Sequence, residues 1–161
     1  MDAKHSKVSD WESKTGGGPE AGGEGAFPTH VTLAVVLQVR EGGLCVLLWQ
    51  RARPPFSGLW SLPGGYLEAG HTLDRSIRVQ LAGKVDVAEL SWLEQLETLS
   101  EPGRHPDEWQ LATAYLGLVP LGLDPALPKD TAWHPVDELP ALAFDHEAIV
   151  LAGASAKPMF V

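Results

Sequence analysis

The chain has 161 residues, 44% of them hydrophobic, and a formal net charge of −9. Its length suits one domain with a sizeable core, and its acidity argues against non-specific nucleic-acid binding, which needs Lys and Arg on phosphates. No apolar run approaches the roughly 18 residues of a membrane span, and a single cysteine, Cys45, leaves no intrachain disulfide to form.

Residues 1–27 read as a disordered, Gly-rich N-terminal tail, and 28–161 as the folded domain. The stretch Thr15 to Gly25 is glycine-rich and acidic without apolar periodicity, as in linkers. It is not a phosphate-binding loop, because no strand precedes it and no Gly-Lys-Ser/Thr follows. The first residues lack the apolar stretch of a signal peptide, so the cytoplasm is the expected compartment. From Thr29 the pattern turns β, with Val31, Leu33, Val35, Leu37 and Val39 alternating on one face. Arg40 to Gly43 make a turn. Leu44 to Gln50 is apolar on both faces, as in a covered central strand; Cys45 lies within it and reads as a small buried hydrophobe.

The stretch from Leu59 to Val87 organises the rest. It reads as a strand, a turn at Pro63-Gly64-Gly65 and an amphipathic helix. Thr72 suits the helix N-cap, and Leu73, Ile77 and Leu81 recur every four residues, giving one apolar stripe. The helix is expected to end near Gly83. Strands are then expected over Leu90–Leu99, Gln110–Val119 and Thr131–Pro135. A last helix is expected over Asp145–Ala154 with Asp145 as its cap.

The segment after Gly65 resembles the Nudix box, G-x5-E-x7-R-E-U-x-E-E-x-G-U, where U is a large aliphatic residue. Setting Gly65 on the first Gly puts His71 on the first Glu, Val79-Gln80 on Arg-Glu and Gly83-Lys84 on Glu-Glu. Asp86 stands for the second Gly, while Leu81 and Val87 fit the aliphatic sites. The approach Pro55-Phe56-Ser57-Gly58-Leu59-Trp60 also matches the family. Leu93-Glu94-Gln95-Leu96, Pro102-Gly103-Arg104-His105-Pro106, Trp133 to Pro140 and Leu142 to Ile149 are similar to segments of the ADP-ribose pyrophosphatase branch and of Nudix-related regulators of NAD metabolism. The resemblance covers about Thr29 to Gly153. It implies an α/β protein, a Nudix-type α/β/α sandwich with a mixed β-sheet. Relatives in this branch are commonly homodimers, and a homodimer is expected. The regulators continue into a winged-helix domain that binds DNA. This chain stops at Val161, about where that domain would begin, so no direct nucleic-acid partner is expected; the lack of a long apolar run leaves no membrane partner expected either.

In the family, carboxylates on one helix face hold magnesium or manganese against a diphosphate. Positions 80, 83 and 84 share that face. Magnesium wants oxygen ligands, yet here the face offers an amide, no side chain and an ammonium. His71 alone is a weak magnesium ligand and reads as exposed at the helix start. Glu68, Asp74, Asp86 and Glu89 lack the spacing of the lost site. The expectation is therefore no catalytic set, no metal site and no cofactor, with magnesium or manganese needed only if hydrolysis persists.

A diphosphate bound without metal needs other cations. Arg51, Arg53 and Arg104 supply guanidinium groups that match phosphate geometry; the plain alternative for each is a surface arginine. Trp60 and Trp133 are candidates for stacking on a base, though tryptophans serve as often in cores. Gly64 and Gly65 complete the expected ligand-binding set. His105 and Glu101 are minor candidates for a base on a late loop. Three readings compete. The first is a pseudoenzyme that binds a small nucleotide such as an ADP-ribose-like nucleoside diphosphate derivative, acting as sensor or binding module. The second is an active hydrolase of nucleoside diphosphates linked to another moiety, with non-standard metal ligands. The third is an interaction scaffold without ligand. The loss of every box carboxylate on a kept scaffold favours the first.

Overall fold

The computed structural model describes residues 27–156. All but the last residue of the expected N-terminal linker lies outside them. Seven strands form one sheet: β1 (Thr29–Arg40), β2 (Gly43–Gln50), β3 (Trp60–Ser61), β4 (Gly64–Tyr66), β5 (Trp92–Leu99), β6 (Gln110–Leu118) and β7 (Thr131–Pro135). The path through it is β3-β2-β1-β6-β5, with β4 also on β1 and β7 also on β2. β1 and β6 run parallel from Thr29↔Gln110 to Leu37↔Leu118, and the other named pairs are antiparallel. The sheet is thus mixed. Helix α1 (Leu73–Val85) covers one face and α2 (His146–Ser155) the other.

The two cores follow from the alternation of β1. Val31, Leu33, Val35 and Leu37 pack with Ile149 and Val150 of α2. Ala34 and Val36 pack on the opposite side with Ile77, Leu81 and Val85 of α1. β1 is therefore buried on both faces rather than one, while Val39, at its outer end, is 48% exposed. β2 is central, paired with β1, β3 and β7, and Cys45 is buried in it.

The Thr72 hydroxyl accepts from the Arg75 N–H and caps α1. The helix ends two residues beyond Gly83. Asp86, at φ 58°, adopts the left-handed conformation that closes it, and its N–H returns to the Leu81 carbonyl. Gly64-Gly65, expected as a turn, instead forms strand β4, with Thr32↔Gly65 and Leu33↔Gly64 in register. Gly64 is required there: at φ 157° a Cβ would stand 2.9 Å from the Thr32 carbonyl carbon. Asp145 precedes α2 but makes no side-chain cap bond, because its carboxylate is taken by Arg104.

Candidate functional site

Strand β4 lies between β1 and α1, and this brings the box face of the helix to the sheet. Gln80 is buried. Its Oε1 accepts from Thr32 Oγ1 at 2.6 Å, and its Nε2 donates to the Tyr66 carbonyl at 2.8 Å and to Ser76 Oγ at 3.1 Å. One turn on, Lys84 Nζ donates to the Gly64 carbonyl at 2.8 Å. The ammonium lies where a Cβ on Gly65 would meet it. Gly83 is open, with nothing within 4 Å of a built Cβ. Val79 points away, 46% exposed. This donor set does not fit magnesium: the amide is engaged inside the protein and the ammonium repels a cation. Among the described residues no group of three or more His, Cys, Asp or Glu could hold a metal ion.

Beside this face opens a cavity of about 230 Å³. Its wall includes Arg51, Ser61, Gly64, Gly65, Lys84 and Phe144, with Trp49, Tyr66, His105, Gln110 and His146 completing the polar and aromatic lining. Arg51 ends β2. Its Nε donates to the Pro55 carbonyl at 2.8 Å, and its guanidinium carbon lies 4.9 Å from the Phe144 ring centroid and 6.0 Å from that of Trp49. Burial lowers the Arg51 pKa, opposed by Tyr66; the group nevertheless stays cationic. Among the described residues neither Arg51 nor Lys84 has an ion-pair partner. The Ser61 hydroxyl is buried without a hydrogen-bond partner.

Phe144 is the hub of the aromatic lip. It stacks on His105 at 5.0 Å and meets Phe56 edge-on at 4.8 Å. Its φ of 53° is unusual for a bulky residue. His146, two residues on, is buried in the wall. Its Nδ1 accepts from the Leu62 N–H at 3.0 Å, which puts the ring proton on Nε2. Burial first, then Arg104 and Arg51, push its pKa down to about 3, against the pull of Asp145.

Arg104 occupies a different environment from Arg51. Its side chain is 2% exposed, and its Nε and Nη2 donate to the two Asp145 oxygens at 3.0 and 2.7 Å. Nη1 donates to Gln110 Oε1 at 2.7 Å. Gln110 Nε2 donates to Glu108, which also accepts from the Tyr66 hydroxyl. The guanidinium is committed within the fold, and it reaches the cavity only through Gln110.

The other expected residues are dispersed. Arg53 is exposed in the loop after β2. Trp60 packs against the α2-side core and meets His134 edge-on at 4.5 Å. Trp133 packs against the α1-side core under Arg40. His71 is not exposed as expected: its side chain is 18% accessible, with Nδ1 3.6 Å from Glu68, too long for a hydrogen bond. Asp86 accepts from the Ala126 N–H, Asp74 pairs with Arg78, and Glu89 and Glu101 are exposed. Sequence reasoning did not single out Trp49, Ser61, Tyr66, Phe144 or His146. For Trp49 a signal existed: it lies two residues before Arg51, and an extended chain turns residues at that spacing to the same side.

A mixed sheet between two helices, with the box helix against a glycine strand, defines a Nudix-type fold. The NUDIX domain family matches residues 28–152, and the chain belongs to that family. It is 29% identical over 111 residues to an ADP-ribose pyrophosphatase of Methanocaldococcus jannaschii, covering 65% of this chain and 63% of the relative. It also resembles the NUDIX domain of Shewanella oneidensis NrtR, solved with ADP ribose, at 30% identity and a TM-score of 0.69, covering 80% of this chain and 87% of that one. NrtR of the same organism complexed with a 27mer DNA matches at 30% identity and a TM-score of 0.67, covering 76% of this chain and 59% of that one. This chain spans less than two thirds of the archaeal and DNA-bound relatives. A similar protein complexed with DNA runs against the expected exclusion of nucleic acid.

Proposed function

We propose that this protein binds a nucleoside diphosphate derivative of the ADP-ribose kind and does not hydrolyse it, serving as a sensor or binding module. The carrying observation is the pairing of Arg51 and Lys84 on one cavity wall where the family's carboxylates would otherwise hold metal. The relatives named above support the ligand class. The aromatic lip at Phe144 and Trp49 offers faces for a base or sugar. Arg51, Gly64 and Gly65 are retained as ligand residues. Arg53, Trp60, Trp133 and Arg104 stand outside the cavity wall.

The reading also takes the protein to be a cytoplasmic homodimer that needs no metal cofactor. A chain with one buried cysteine suits a reducing compartment, and similar proteins are commonly dimeric. No helix among the described residues is long and apolar enough to cross a membrane.

Calorimetric titration with ADP-ribose, with and without magnesium, followed by chromatography for AMP, tests the proposal. Heat without AMP is the expected result. AMP formed only with metal would replace it with the hydrolase reading. Neither heat nor AMP would leave a scaffold.

A further inference from the structure

We infer that Lys84 is a tethered cation that takes over the place of the family's metal ion, so that a diphosphate is held directly by its ammonium with Arg51 as companion. This deepens, and rests on, the binding reading above.

The position carries the argument. Lys84 stands on the helix face where the family's acids gather, yet its charge is reversed. Its ammonium is held at β4 by the Gly64 carbonyl at 2.8 Å. Gly65 offers no side chain to displace it. An ammonium has three N–H donors, and the Gly64 carbonyl takes one. Arg51 is anchored through Nε alone. The two groups line the same cavity and have no carboxylate partner among the described residues. One cation is thus available for each anionic phosphate of a diphosphate diester.

A second observation fixes which part of the ligand Lys84 meets. A neighbouring cavity of about 350 Å³, lined by Pro63, Pro128, Lys129 and Thr131, shares Trp49, Gly64 and Lys84 with the first. The ammonium therefore stands at the boundary of two cavities. A two-ended ligand lying across that boundary presents its linking group, the diphosphate, to Lys84. The buried Ser61 hydroxyl, without a partner of its own, supplies a further polar group in the first cavity. Metal ions are not needed in this arrangement, and the Lys84 charge opposes them.

The test uses the full chain with two probes, ADP-ribose and inorganic pyrophosphate, titrated in EDTA and then in magnesium. Expected is binding of both probes in EDTA with no gain from magnesium. K84M should weaken both about ten- to a hundredfold, the scale of a hydrogen bond to a charged group, while K84R retains most of the affinity. Because Lys84 is exposed, K84M is expected to melt like the parent. Should it not fold, G65A provides the second arm: its methyl displaces the ammonium without removing the charge, and affinity should fall again. Binding that requires magnesium, or variants that bind like the parent, would overturn the inference. Lys84-dependent binding of pyrophosphate alone would uphold it while sinking the ADP-ribose reading. Silence with both probes would sink both.

Discussion

Two cationic corners, one behind the cleft and one on its wall, use their charge in opposite ways. At one, Arg104 is buried and forked onto Asp145, with a third hydrogen bond to Gln110. At the other, the Arg51 and Lys84 side chains hydrogen-bond, among the described residues, only to backbone carbonyls, with Arg51 also set against the Phe144 and Trp49 rings. A buried guanidinium held bidentate by a carboxylate has little attraction left for an anion. A cation with no carboxylate beside it is not neutralised and can still attract an anion. The first corner holds the loop before β6 to the start of α2, and the second is open to a ligand. Sequence position alone does not separate them, since all three residues are cations beside loops.

Breaking the first corner has the largest expected effect. Arg104→Ala leaves Asp145 without its partner and Gln110 without a donor. Loss of one partner from a buried pair costs about 3 kcal/mol or more, so urea denaturation should show a loss of that order. Arg104→Lys should recover little, since an ammonium cannot span both carboxylate oxygens. Unchanged stability in Arg104→Ala would make the corner a bystander and return Arg104 to the ligand set.

The next effect is a pH dependence built into the same wall. His146 has its pKa lowered from 6.5 to about 3 by burial, so the folded state keeps it neutral while the unfolded chain takes up a proton below 6.5. Its contribution is fully present above 6.5 and is lost as pH falls toward 3. The slope is about 1.4 kcal/mol per pH unit, or about 2 kcal/mol between pH 6.5 and 5. Denaturation midpoints across that range measure it. His146→Asn, whose amide oxygen substitutes for Nδ1 as acceptor to Leu62, should flatten the slope. A parent protein with no such slope would show that His146 is not held neutral.

How much of this was legible in the sequence depends on the range of each interaction. The Thr72 cap and the Leu73, Ile77 and Leu81 stripe are local, and the structure reproduces them. The mixed sheet between two helices followed from the resemblance. The pairing of Arg104 spans 41 residues, and nothing in the Pro-Gly-Arg loop announces that its partner is Asp145. The same long-range bond removed Asp145 from its expected capping role. Trp60 and Trp133 fit a stacking role by type, but the two cores claimed them. Trp49, which does line the cavity, passed as an ordinary strand residue. In the sequence Lys84 shows only as the loss of a ligand; its contact with Gly64, which gives it a position, depends on the β4 pairing.

The smallest effects come from two helical glycines, one on each face of the sheet, and they sharpen the contrast between scaffold and site. Gly153 in α2 lies against β1, where a Cβ would stand 2.8 to 3.0 Å from the Val35 side chain. Both neighbours sit in a packed core, so Gly153→Ala should cost about 1–3 kcal/mol through overpacking. Gly83 in α1 has open space where its Cβ would be. There only the conformational freedom of glycine matters, and Gly83→Ala should stabilise by about 0.5–1 kcal/mol. Thermal melts of the two variants should therefore move in opposite directions from the parent. The Gly83 variant should also keep its affinity for ligand, because the methyl adds no charge beside Lys84 and fills no described contact. A Gly83→Ala protein that is stabilised yet binds poorly would mean that the ligand itself approaches the helix at this point. The bare position would then be part of the binding surface rather than a vacancy left where the family places an acid.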